Sequence, residues 1–153
     1  MNFEELNRKL SLIPDQKVVF VGLGNAIRGD DGAGLEFINQ LRQHKLVPDK
    51  QLIKGYTTPE NYLLRIIKQK PNRVIFIDTA RMQTPPGTIQ EIPAESIDSQ
   101  GFSTHTFSMR LIAKYLKANG VCEVRYLGIE PKSTAVSNQI SPEVIKGLYF
   151  FFN

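Results

Sequence analysis

The sequence is short of the residues that most often announce chemistry. It has one cysteine, Cys122, no tryptophan, and two histidines, His44 and His105. A single cysteine excludes an internal disulfide and any thiolate-cluster metal site, and it fits a reducing, cytoplasmic setting. Chemistry that needs an imidazole must use His44 or His105. No apolar run approaches the roughly 20 residues of a membrane-spanning helix, so no membrane partner is expected. The first residues, Met1-Asn2-Phe3-Glu4-Glu5, are acidic and lack the charged-then-apolar build of a secretory signal. Charge of one sign is also scarce. Nineteen Lys and Arg stand against fifteen Asp and Glu, a net charge of +4, and the basic residues are scattered rather than gathered into an arm for nucleic acid.

What is present is an ordinary folded composition. The chain has 153 residues, 41% of them apolar, enough for one substantial core, and a single domain over residues 1–153 is expected. Phe3, Leu6, Leu10 and Ile13 recur at helical spacing, which predicts a short helix that Pro14-Asp15 breaks. Lys17 to Leu23 is a continuous β-branched and aromatic run, the pattern of a central strand in a parallel sheet. After a loop, Asp31 to about His44 reads as a helix with Phe37, Ile38 and Leu41 inward. Gln51 to Gly55 reads as a strand, and Thr58-Pro59 starts a helix running to about Gln69. Arg73 to Asp78 is a second buried strand, Thr88 to Ile92 a short edge strand, and Glu123 to Ile129 a last strand, with Cys122 just inside it. Thr106 to Asn119 is predicted helical with Phe107, Leu111, Ile112, Tyr115 and Leu116 as its apolar face, ended by Gly120. Ser141-Pro142-Glu143 opens a final helix carrying Val144, Ile145, Leu148 and Phe151. Strands alternating with helices predict an α/β fold, a three-layer α/β/α sandwich whose ligands sit at the carboxyl ends of the strands.

Three loops carry the candidate chemistry. The first is Gly22-Leu23-Gly24-Asn25-Ala26-Ile27-Arg28-Gly29-Asp30-Asp31-Gly32-Ala33-Gly34. A dinucleotide-binding turn would need a glycine where Ile27 stands, and the Gly-Lys-Ser/Thr of a phosphate loop is missing. Two carboxylates at a helix start repel phosphate and suit a cation. Either acid could instead be a plain helix cap. The second candidate is Asp78, a carboxylate closing an apolar strand, which must reach the sheet edge or find partners. The third is His105, between hydroxyl residues just ahead of a helix, where a surface cap is the alternative. His44 falls beside Lys45 at a helix end and reads as solvated. If the first and third strands are neighbours, Asp31 and Asp78 emerge in one crevice. With His105 they form an oxygen-and-nitrogen set for a divalent metal, and the ligand types alone do not choose between nickel, zinc, manganese and iron.

Several blocks resemble one known family, the hydrogenase maturation proteases. Gly22-Leu23-Gly24-Asn25 with Gly29-Asp30-Asp31-Gly32-Ala33-Gly34 is similar to that family's glycine–asparagine and double-acid signature. Val74-Ile75-Phe76-Ile77-Asp78, Thr104-His105, Leu127-Gly128-Ile129-Glu130-Pro131 and Ile140-Ser141-Pro142-Glu143-Val144 follow in the family's order. The resemblance implies a five-stranded, mostly parallel sheet with one antiparallel strand, which agrees with the short edge strand. It implies an endopeptidase that removes the C-terminal extension of a nickel-loaded nickel–iron hydrogenase large-subunit precursor. Asp31, Asp78 and His105 are then the metal-contacting and catalytic residues. Nickel would be the cofactor and would arrive with the precursor as partner, with Asp30 as a candidate base and a cytoplasmic monomer expected. Members often carry two glycines after the second strand, where this chain has Gly55-Tyr56. Two alternatives remain at this stage: a non-proteolytic nickel-binding chaperone for the precursor, and a small nucleotide- or phosphate-binding α/β protein.

Overall fold

A computed structural model describes residues 1–11, 17–98, 102 and 107–153, with only the backbone of Leu10 and Ser11. Helix α1 spans Phe3–Ser11, β1 Val18–Leu23, α2 Ala33–Gln43, β2 Leu52–Tyr56, α3 Leu63–Lys68 and β3 Arg73–Thr79. Then come β4 Ile89–Ile92, α4 Met109–Ala118, β5 Glu123–Ile129 and α5 Pro142–Phe152. The sheet runs β2-β1-β3-β5-β4; β1, β2, β3 and β5 are parallel, and β4 alone is antiparallel, against β5. This is the expected five-stranded mixed sheet, with the short strand at its edge.

Every residue of β1 and β3 is buried, because helices cover both faces of the sheet. On one face Phe20, Ile75, Ile77 and Leu127 pack with Leu6, Phe37, Ile38, Leu41, Val144, Leu148 and Phe151, that is, with α1, α2 and α5. On the other, Val19, Val21, Val74, Phe76 and Tyr126 pack with Ile66 of α3 and with Met109, Ile112 and Leu116 of α4. The chain leaves β1 for β2 on one side and β3 on the other, so the sheet's switch point lies between the carboxyl ends of β1 and β3.

Glycines set how closely α2 lies on that switch point. A Cβ on Gly34 would sit 2.4 Å from the Leu23 carbonyl oxygen and 2.5 Å from that of Ile77, and one on Gly22 would sit 2.4 Å from the Gly34 oxygen. These obstacles are backbone and cannot rotate away. Gly34→Ala is therefore expected to destabilise the fold by about 1–3 kcal/mol, read as a lower urea midpoint at unchanged slope; a midpoint equal to that of the unsubstituted protein would show the contact to be looser than it stands here.

Several boundaries and faces differ from the sequence reading. The helix expected from Asp31 begins at Ala33, preceded by a single 3-10 turn over Gly29–Gly32. The helix expected from Thr58 is a 3-10 turn over Pro59–Tyr62 and only then α3. Cys122 lies ahead of β5 and is exposed rather than inside the strand. Helix α4 carries two apolar stripes, and Met109, Ile112 and Leu116 face the sheet. Phe107, Leu111 and Tyr115 are 45, 51 and 44% exposed, because the sheet can take only one stripe. Ile145 is likewise exposed, outside the Val144–Leu148–Phe151 stripe of α5. Thr106, Pro14, Asp15 and Ile13, with the Leu10 side chain, lie outside the described residues. Among the described residues no helix is long and apolar enough to cross a membrane.

Candidate active site

The loop after β1 is shaped by its glycines and closed by its acids. Gly24 has φ +133°, a conformation L side chains rarely adopt, and a Cβ there would collide with the Asp31 carbonyl oxygen at 1.8 Å. The Asn25 side chain accepts from the Ile27 N–H at 3.1 Å, an Asx turn that carries the chain toward Gly29. The Asn25 N–H reaches the Asp31 carboxylate at 3.0 Å. That amide is thus already bonded to a carboxylate and is not offered to a phosphate, which weighs against the nucleotide-binding alternative.

Asp31 and Asp78 come together at the switch point. Asp78 is fully buried, one residue before the end of β3, and accepts from the Thr79 N–H at 2.7 Å. The Thr79 hydroxyl lies 3.1 Å from one Asp31 oxygen and 3.4 Å from an Asp78 oxygen. It has one proton for two carboxylates, so it joins them without neutralising either. Burial, and then the Asp78 charge, raise the Asp31 carboxyl above its ordinary value against the pull of Thr79, the Asn25 N–H and Arg28. A partly buried pair of like charges is a site built to accept a cation or a proton.

The other acid of the doublet does different work. Asp30 is 1% exposed. One of its oxygens accepts from the Ser141 N–H at 2.7 Å. The other accepts from the Ser141 hydroxyl at 2.8 Å and from the N–H groups of Lys132 and Ser133 at 2.8 and 3.1 Å. Burial pushes its carboxyl up, but the bonds from Ser141, Ser133 and Lys132 outweigh it and hold the group below its ordinary value. Asp30 is thus a clasp between the β1 loop and the segment leading into α5. Three donors crowd one oxygen and the fourth binds the other, and together they favour the charged form, which weighs against its reading as a candidate base. Neither acid caps the helix through its side chain.

Glu130, at the end of β5, is a second clasp. One of its oxygens accepts from Met82 N–H at 2.7 Å and from the N–H and hydroxyl of Thr84 at 3.0 Å each, fixing the loop after β3. The sequence reading missed Thr79, Ser141 and the roles of Asp30 and Glu130. A usable signal was there, since several acids at one sheet edge must each find donors.

His105, with its neighbours Ser103, Thr104 and Thr106, lies outside the described residues. Among the described residues no three His, Cys, Asp or Glu side chains stand together as a metal-holding group, and Asp31 with Asp78 supplies two oxygen-bearing side chains. His44 ends α2 exposed and stacks on Phe152 at 5.7 Å, away from the acids.

Comparison with known proteins points one way. The family model described as HycI, hydrogenase maturation protease, matches residues 35–149, a span that contains Asp78 and Glu130. A protein of Methanocaldococcus jannaschii with a provisional hydrogenase maturation protease name is 33% identical over 125 residues, covering 76% of this chain and 73% of its own. The hydrogenase 3 maturation protease of Escherichia coli K12 is 30% identical over 118 residues, covering 74% and 72%. A solved nickel–iron hydrogenase maturation protease from Thermococcus kodakarensis superposes with a TM-score of 0.79 at 24% identity, covering 93% of this chain and 91% of that one, and shares its fold. The chain is a peptidase that belongs to the hydrogenase maturation protease family.

Proposed function

We propose that this peptidase removes the C-terminal extension of a nickel–iron hydrogenase large-subunit precursor, and that it recognises the nickel the precursor already holds. The observation that carries this reading is the pair of acids at the switch point: Asp31 and Asp78 share the Thr79 hydroxyl, and the Asp78 charge helps to raise the Asp31 carboxyl. Carboxylate oxygens with an imidazole suit a divalent cation of nickel's class. Asp31 and Asp78, completed by His105, hold the substrate's nickel and so bring the adjoining peptide to the sheet edge. A divalent cation in that place supplies Lewis acidity for a carbonyl or a water. Thr79 keeps the two carboxylates in register, and the two clasps keep the flanking loops in place while the peptide enters.

The test is a cleavage assay on a nickel-loaded large-subunit precursor read by mass spectrometry, with nickel-free precursor alongside. The nickel-loaded chain is expected to lose its tail in a single cut and the nickel-free chain to keep it. His105→Ala is expected to slow the cut at least about a hundredfold, as for loss of a direct metal contact. Unimpaired tail removal by that variant, or equal cutting of both precursors, would overturn the reading.

A further inference from the structure

Among the described residues, four other than glycine have a positive φ: Lys45, Tyr56, Lys70 and Gln83. Lys45 and Lys70 follow the ends of α2 and α3, where a left-handed residue is a routine helix stop. Gln83 sits between Met82 and Thr84 in the loop that Glu130 clasps. Tyr56 has no such explanation. At φ +53° it is an aromatic residue in a region that bulky side chains avoid, and it ends a strand.

The strand is bent to put it there. Gly22 pairs with Lys54 and Leu23 with Tyr56, so Gly55 is an extra residue against β1, a bulge. A Cβ on Gly55 would press to 2.9 Å from the Leu23 side chain and 3.1 Å from the Val21 side chain, so these β1 side chains fill the space beside the bulge. Tyr56 is then pinned by its own carbonyl, which accepts from the Gly24 N–H at 2.9 Å. Gly24 is the residue whose surroundings include the Asp31 backbone and, at 3.7 Å from its Cβ position, the Asp78 carboxylate. The arrangement keeps the tyrosine 46% exposed at the edge where both acids emerge. Burial of the ring therefore does not account for the strained backbone. Strain held at a site edge is a mark of use by a ligand.

We infer that Tyr56 is a substrate-contact residue: its ring packs against an apolar side chain of the precursor peptide beside the bond to be cut. This rests on the proposed cleavage of a large-subunit precursor. Removing the ring weakens substrate binding and leaves the chemical step alone, while relaxing the backbone.

The experiment compares Tyr56→Gly, Tyr56→Asn and Tyr56→Phe in the nickel-loaded precursor assay and in thermal melts, with Asp31→Asn as a cleavage-dead control. Glycine and asparagine both accept a positive φ, and asparagine does so without glycine's added freedom. Both are expected to melt at least as high as the unsubstituted protein, by up to about 3 °C. Both are expected to raise KM about tenfold at a kcat within about twofold, the signature of lost binding common to ground and transition states. Tyr56→Phe keeps the ring and is expected to keep KM. An unchanged KM in Tyr56→Gly and Tyr56→Asn, or a drop in melting temperature with kcat falling alongside, overturns this inference and leaves the proposed function standing if Asp31→Asn is dead. A precursor that the unsubstituted protein leaves uncut overturns the proposed function and this inference together.

Discussion

Asp31→Asn is expected to lose at least about a hundredfold in precursor cleavage while melting no lower than the unsubstituted protein. The amide fits the hydrogen bonds of the carboxylate it replaces. Its oxygen can accept from the Asn25 N–H, which now reaches the Asp31 carboxylate at 3.0 Å. Its NH2 can donate to the Thr79 hydroxyl, which lies 3.1 Å from the other Asp31 oxygen and is then free to give its proton to Asp78, 3.4 Å away. What disappears is one of two like charges that burial and proximity already disfavour. The fold should therefore gain slightly, by about 1–2 °C in melting temperature. The same charge is what the nickel of a precursor would bind, so activity and stability move in opposite directions. A variant that cuts at the normal rate would remove Asp31 from the site, and one that melts well below the unsubstituted protein would mean its carboxylate holds the loop instead. Asp78→Asn offers no such separation, because Asp78 is fully buried and is bonded by both the N–H and the hydroxyl of Thr79.

The features readable in the sequence are those set by local pattern. The runs that form β1 and β3 carry the pattern of buried strands, and a carboxylate near the end of one must reach the sheet's edge or find partners, so the place of Asp78 in the fold was readable. Adjacency of β1 and β3 then brought Asp31 to it. What could not be read depends on partners far along the chain. Asp30 and Asp31 are neighbours in sequence with equal claim to the site. Only the fold decides that Ser141, 111 positions on, takes Asp30, and that Thr79, 48 positions on, takes Asp31. The apolar stripes of α4 are a second case: both satisfy helical spacing, and which one the sheet covers depends on the roll of the helix. The left-handed backbone of Tyr56 is a third, since tyrosine gives no local signal for a conformation imposed by a bulge and a bond to Gly24.

The same substitution one residue earlier is expected to do the reverse. Asp30 accepts from two N–H groups and a hydroxyl within 2.8 Å and from a third N–H at 3.1 Å, and its carboxylate is buried. An asparagine can offer one accepting oxygen. Its NH2 must then face donors, either the Lys132 and Ser133 N–H groups or that of Ser141, so at least one buried bond becomes donor against donor. Asp30→Asn and Asp30→Ala are both expected to lose about 2–4 kcal/mol of stability, the scale of leaving buried donors without an acceptor. For a chain of this size that is a fall of about 6–12 °C in melting temperature. The loss should begin locally. The Gly29 N–H bonds to the Ser137 carbonyl at 2.8 Å, and the Ser137 N–H to that of Ile27 at 3.0 Å, so their amide hydrogens should exchange faster than those of β3 once the clasp is gone. The pH dependence has a definite sign. The folded carboxyl titrates below its ordinary 3.8, so its contribution is fully present above that value and is lost as the pH falls through the lower folded one. The unsubstituted protein should therefore lose its advantage over Asp30→Asn in acid. Cleavage by Asp30→Asn, measured well below its own melting point, should survive in part, because the clasp positions the loop and takes no proton. An Asp30→Asn protein that melts with the unsubstituted one and cuts nothing would reverse the roles assigned to the two acids.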